Sequence, residues 1–139
     1  MLSTLQSGLL QQIPMAATRV VIDVSGDGID NCDPVPATAI ERDKLVASGR
    51  VINGLPIIVA GENDGPVGSG AYRKPGYGFD DLELDSATTT MEAFFRTKVI
   101  GGAGAFVMPA RGYEDFGRAF RQKFVTEVSC LGYVCETQR

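Results

Sequence analysis

Residues 19–24 (RVVIDV) form a short apolar run, rich in β-branched side chains, that stops at a turn of Gly and Asp. A strand buried on both faces has this signature, since it lacks the polar alternation of a half-exposed one. Residues 37–48 (ATAIERDKLVAS) then collect helix formers, with Glu41 ahead of Lys44 and Gly49 placed as the C-terminal stop. A second apolar run, VINGLPIIV, follows at residues 51–59. Strand, helix and strand in this order make a βαβ unit with parallel strands and a right-handed crossover. Asn53-Gly54 is also a hairpin signal, but each hairpin arm would keep only three or four residues. The run therefore reads as one strand with Asn53-Gly54 inside it or at a bulge, and Pro56 marks weak pairing there.

The remaining elements are shorter. Residues 25–36 (SGDGIDNCDPVP) read as a polar loop. Residues 61–90 are rich in Gly, Asp, Ser, Pro and Thr without sustained periodicity, and read as a long insertion or flexible lid. Residues 91–99 (MEAFFRTKV) predict a short helix that presents Phe94 and Phe95 to a core, ended by Gly101, Gly102 and Gly104. Residues 105–108 (AFVM) predict a third short strand closed by Pro109. Over residues 113–129, Tyr113, Phe116, Phe120, Phe124 and Val128 recur at spacings of three and four, a helical stripe expected to pack into the core. Glu114 and Asp115 at its start, with Arg118, Arg121 and Lys123 further on, suit the helix dipole. Ahead of these, Leu2, Leu5, Leu9 and Leu10 before Pro14 read as a short amphipathic helix. The expected organisation is an N-terminal segment (1–18), one α/β domain (19–130) and a tail (131–139).

Composition narrows the chemistry. The 139 residues, 44% hydrophobic and 22% charged, suit one core in a soluble globular domain. A net charge of -4 gives no basic footprint, so nucleic-acid binding is not expected. The absence of histidine excludes catalytic triads with an imidazole base and zinc sites with an imidazole ligand. Cys32, Cys130 and Cys135 form no CxxC pair; Cys130 and Cys135 either bridge a terminal loop in an oxidising compartment or remain free thiols. No apolar run approaches the roughly 20 residues of a membrane-spanning helix. The first 15 residues lack a basic start and carry Gln6, Gln11 and Gln12, so no export signal is expected in them.

Asp23, Ser25, Asp27, Asp30, Asn31 and Asp33 crowd oxygen atoms around one strand end, the chemistry that hard cations require. An EF-hand starting at Asp23 would need glutamate at its twelfth position, where Pro34 stands. A dinucleotide fingerprint is broken after Gly26 and Gly28 by Asn31, Cys32 and Asp33. What remains is an aspartate projecting from the C-terminal end of a parallel strand, where open α/β sheets place their ligands.

VIDVSGDGIDN (residues 21–31), INGLPI (52–57) and VIGGAGAFVMPA (99–110) with its following aromatic helix resemble, in that order, a bacterial branch of the von Willebrand factor type A (vWA)-like domains classed as a domain of unknown function. The resemblance covers residues 19–129. It implies the C-terminal half of an α/β fold: a partial doubly wound, Rossmann-like sheet of about three parallel strands, the fourth to sixth of the family, with flanking helices. In that fold an aspartate and two serines after the first strand, a threonine from a middle loop and an aspartate after the fourth strand hold a metal ion. The last of these corresponds to Asp27, and the chain has no DxSxS motif. The resemblance thus implies a truncated domain with an incomplete metal-ion-dependent adhesion site, at most weak binding of Mg²⁺ or another divalent cation through Asp27, and no other cofactor. Without a cation, Asp27 would be a turn carboxylate that caps backbone amides. Two departures stand out: residues 61–90 exceed the family's usual connection, and residues 1–17 do not resemble the sequence expected ahead of the fourth strand.

The expected function is a non-enzymatic protein-interaction module. The alternatives are a magnesium-dependent phosphohydrolase using Asp23, Asp27, Asp30 and Asp33, or a remnant with no activity of its own. A protein partner, no nucleic acid, no membrane span and self-association through the open edge of the 19–24 strand are expected. The resemblance also suggests an exported or periplasmic protein, although the first residues carry no signal.

Overall fold

The computed structural model describes residues 12, 19–29, 37–67 and 88–129. The first apolar run forms β1 (Val21–Gly26), which pairs in parallel with β2 (Val51–Ile58), Val21 opposite Val51 through Gly26 opposite Pro56. α1 (Ala37–Ala47) joins them and is stopped at Gly49, whose φ of 83° is cheap for glycine and strained for other residues. β3 (Ala110–Arg111) pairs in parallel with Ile57 and Ile58 on the other side of β2, giving the order β1-β2-β3.

Alternation along β2 decides what lies on each face. Ile52 packs with Ile22 and with Leu45 of α1. Gly54, on the same face, lies against Phe95 and Ile100. Phe95 follows α2 (Met91–Phe94), which Thr90 caps by accepting from the Ala93 amide at 3.2 Å and which runs directly into a π-helical turn, Phe95–Val99. Phe94 and Phe95 meet edge to face at 6.2 Å in a core with Ile29, Ile58, Val67, Met91, Val99 and Val107. On the opposite face, Leu55 packs with Ala110 and with Ala119 of α3 (Phe116–Ser129). The described residues therefore form a parallel sheet with helices on both faces, a partial Rossmann-like arrangement, as the sequence predicts.

Three expectations are corrected. β1 is not buried on both faces: Ile22 is buried, but Asp23 and Ser25 are exposed on the α3 side. The third strand lies after Pro109 rather than before it, and residues 105–108 contribute only a bridge between Val107 and Gly54. Ile52 and Gly54 donate their amides towards residues 101–106. The next β2 residue in that series is Pro56, which has no proton to donate, so regular pairing lapses and resumes at Ile57. Most of the aromatic stripe is not core either: Phe116 packs against the Leu55 cluster, but Tyr113, Phe120, Phe124 and Val128 are exposed, and α3 buries Ala119 and Lys123 instead. The two described ends of the 61–90 insertion meet, with Val67 buried and its amide donating to Thr89 O at 2.7 Å. Residues 68–87, the leucines of the N-terminal segment, Asp30, Asn31, Cys32, Asp33, Cys130, Cys135 and the tail lie outside the described residues.

Asn53-Gly54 makes no turn; β2 runs straight through it. Glycine is needed at 54 because a Cβ there would lie 2.7 Å from Phe95 Cδ1 and 3.0 Å from Ile100 Cγ2. Gly54→Ala should cost about 1–3 kcal/mol of stability through overpacking, read as a lower urea midpoint with an unchanged slope. An unchanged midpoint would show that the Phe95 ring moves aside freely.

Candidate functional site at the C-terminal edge of the sheet

Because the three strands are parallel, Gly26, Ile58 and Arg111 all end at one edge. Asp27 follows β1 there with an exposed side chain, as predicted. Tyr113, in the turn between β3 and α3, donates its hydroxyl to Asp27 Oδ2 at 2.9 Å. Asn63, in the turn after β2, is 5% exposed and fully engaged. Its Nδ2 donates to the carbonyls of Asp27 and Ile57, each at 2.8 Å, and its Oδ1 accepts from the Val59 amide at 2.6 Å. Beside them, Asp115 opens α3, accepting from the Arg111 amide at 2.9 Å and pairing with Arg118. Arg118 and then the Arg111 amide hold the Asp115 carboxyl down to about 2. The exits of all three strands are thus tied together by side chains.

Asp23 takes no part in this edge. It lies three residues, or roughly 10 Å, before the end of β1, and its side chain turns under α3 to pair with Lys123. Lys123 is only 1% exposed and also pairs with Glu127. Glu127 accepts from Asn53 Nδ2 at 2.7 Å, while Asn53 Oδ1 accepts from the Phe106 amide at 3.0 Å. The Phe106 ring centroid lies 5.9 Å from the ammonium. Burial, reinforced by the neighbouring Glu127, pushes the Asp23 carboxyl above its ordinary value despite the pull of Lys123. Burial also opposes ionisation of Glu127, but hydrogen bonds from Lys123, Asn53 and Asp23 together hold it below its ordinary value.

The structure therefore separates two carboxylates that the sequence places four residues apart. Asp27 stands at the edge, and Asp23 neutralises a buried lysine. Among the described residues no group of three or more Asp, Glu, Cys or His side chains could hold a metal ion. Magnesium and calcium take six or more oxygen ligands, so the described residues do not by themselves fit a divalent cation. Sequence reasoning missed Asn63 and misassigned Tyr113 to a core stripe. The Asn-Asp-Gly run at residues 63–65 is a turn signal that pointed to the former; no local pattern marks the latter.

A family model described as "Protein of unknown function (DUF1194)" matches residues 4–131. Neither a curated protein nor a solved structure matches the chain. The family match reaches back to residue 4, so it takes in residues 4–17, which the sequence reading sets apart from the family.

Asn63→Ala leaves three backbone groups without their side-chain partner and should cost about 1–3 kcal/mol, measured by chemical denaturation; a neutral effect would mean that water replaces the amide. The depressed Glu127 carboxyl contributes stability above its ordinary value of 4.5, and that contribution is lost as pH falls through the lower folded value. Glu127→Gln should therefore be less stable than the wild type at neutral pH, with the gap closing below pH 4.5. A gap independent of pH would show that charge is not what Glu127 contributes.

Proposed function

The chain belongs to the DUF1194 family, whose function is unknown, and from the resemblance of residues 19–129 to vWA-like domains we propose that it is a non-enzymatic protein-interaction module of vWA-like fold. The observation that carries this reading is the C-terminal edge: three parallel strands end together and present one exposed, hydrogen-bonded carboxylate, Asp27. Open α/β sheets bind their ligands at this position. The vWA resemblance assigns Asp27 to an adhesion site, and the described residues supply only that one of its ligands. The site is accordingly incomplete, and any affinity for Mg²⁺ or a related cation is weak. An exported or periplasmic location, suggested by the same resemblance, belongs to this proposal.

The phosphohydrolase alternative loses support from Asp23. Metal-assisted hydrolysis needs carboxylates converging on the ion, whereas Asp23 is committed to Lys123. Among the described residues, no helix is long and apolar enough to cross a membrane. Among those residues β1 pairs with β2 along one side, and strand addition by a partner along its other side is part of this proposal.

Thermal unfolding with Mg²⁺, Mn²⁺ or Ca²⁺, run beside hydrolysis of p-nitrophenyl phosphate, tests the proposal with Asp27→Ala as the control. The expected result is no hydrolysis above buffer and an unfolding temperature that none of the cations raises substantially. Cation-dependent hydrolysis that disappears in Asp27→Ala would replace the interaction module with an enzyme.

A further inference from the structure

The inward face of α3 changes character along its length. Ala119, Lys123 and Glu127 follow one another at every fourth residue and so share one side of the helix. At the first turn Phe116 and Ala119 pack against Leu55 and Ala110. Beyond Ala119 the inward side chains are Lys123 and Glu127, and both reach across to the sheet, Lys123 to Asp23 and Glu127 to Asn53. The C-terminal half of α3 is therefore seated by charge, whereas the Phe94 and Phe95 core lies on the other face of the sheet.

The charges in that seat do not balance. One ammonium meets two carboxylates, and β2 and residues 101–108 carry no charged side chain, offering Asn53 and the Phe106 ring instead. Asp23 is the one charged residue of β1, and α1 and the π-helical turn pack on the opposite face of the sheet. At β3 and its turn, Asp115 is committed to the Arg111 amide and to Arg118 at the C-terminal edge. Among the described residues the seat thus carries one negative charge in excess. Its two carboxylates differ in their access to water: the Glu127 side chain is fixed by Asn53 and 12% exposed, whereas that of Asp23 is 43% exposed.

We propose that this cluster is a proton-operated latch on α3: the Asp23 carboxylate takes one proton from solvent and, as an O–H, donates a hydrogen bond to Glu127, which neutralises the seat and holds the helix more tightly. With both carboxylates ionised, the surplus charge is partly withdrawn from water with no cation to match it, and the C-terminal half of α3 is held more loosely. Burial pushes the Asp23 carboxyl above its ordinary value of 3.8, and the bond between Asp23 and Glu127 raises it further while lowering Glu127, as a proton carried by Asp23 requires. Because the folded carboxyl titrates above the unfolded one, its stabilising contribution is complete below 3.8 and is lost as pH rises through the folded value. The turn that carries Tyr113 leads directly into α3, so the latch also governs how firmly that hydroxyl is held on Asp27.

Native-state amide hydrogen exchange, corrected for intrinsic rates, tests this on the wild type, Asp23→Asn and Glu62→Gln. Asparagine copies the protonated carboxyl, with one acceptor and a donor, but does not titrate; Glu62→Gln removes an exposed charge elsewhere on the chain. At neutral pH residues 120–129 of Asp23→Asn should be better protected than those of the wild type by about three- to tenfold, a modest factor because Asp23 keeps part of its hydration. The amides of β2 should change less, and the gap should close as pH falls towards 3.8. An equal gain in Glu62→Gln would reduce the effect to overall charge and overturn the latch. So would a gap that does not change with pH, or a gain spread evenly over helix and sheet. An Asp23→Asn chain that is no better protected than the wild type at neutral pH, or is unfolded, overturns it as well, since Lys123 would then need both carboxylates.

Discussion

The Lys123 ammonium, buried between Asp23 and Glu127, determines how the chain is assembled. An unpaired charge in that position would cost several kcal/mol, and even a paired one gains little over an apolar contact of the same shape. What the pair supplies is a fixed geometry. Asp23 comes from β1, Lys123 and Glu127 from α3, Asn53 from β2 and the Phe106 amide from the segment leading to β3. Only one placement of α3 over the sheet satisfies these partners together. The same cluster explains why α3 does not bury its aromatic stripe. The sheet face beneath it presents Asp23 and Asn53, which need a cation and hydrogen-bond partners, so the helix turns Lys123 inward and leaves Phe120 and Phe124 outside.

That placement reaches the C-terminal edge through the turn before α3. The Asp115 carboxylate binds the Arg111 amide and Arg118, tying the end of β3 to the first turn of the helix. Tyr113 lies within this turn, and its hydroxyl reaches Asp27. Asn63 joins the β1 and β2 exits independently, through the carbonyls of Asp27 and Ile57. The edge is held by hydrogen bonds between turns that parallel strands bring together, so it forms from the described residues' own hydrogen bonds. Whatever binds there meets a carboxylate already oriented.

The parts legible in the sequence are those fixed by neighbours in the chain. The βαβ unit followed from two β-branched runs and a helix ended by Gly49, and Asp27 followed from its place after the first run. Phe94 and Phe95 were recognisable as core because they are the large apolar side chains of a short helix ended by Gly101 and Gly102. What escaped depends on partners far apart in sequence. Asn53 meets Glu127 across 74 positions, and nothing near Lys123 marks it as buried, since lysine on a helix is ordinarily a solvated residue. The 3.6-residue period located a stripe on α3 correctly but not the direction it faces. That direction is set by the polarity of a strand surface a hundred residues earlier. The third strand moved for a similar reason: the missing amide proton of Pro56, on the neighbouring strand, decides where regular pairing is possible.

The two aspartates in VIDVSGD show how the sheet assigns different chemistry to similar residues. Alternation turns Asp23 towards α3, where it is partly withdrawn from water, faces an ammonium and has its carboxyl pushed upward chiefly by burial. The strand ends before Asp27, so this second carboxylate escapes the alternation, stays exposed and takes its hydrogen bond from a turn. A cluster of acidic residues in sequence is therefore not a cluster in space when a strand runs through it. Among the described residues, strand face and strand end send Asp23 to a buried lysine and Asp27 to the edge, although the sequence places them four residues apart.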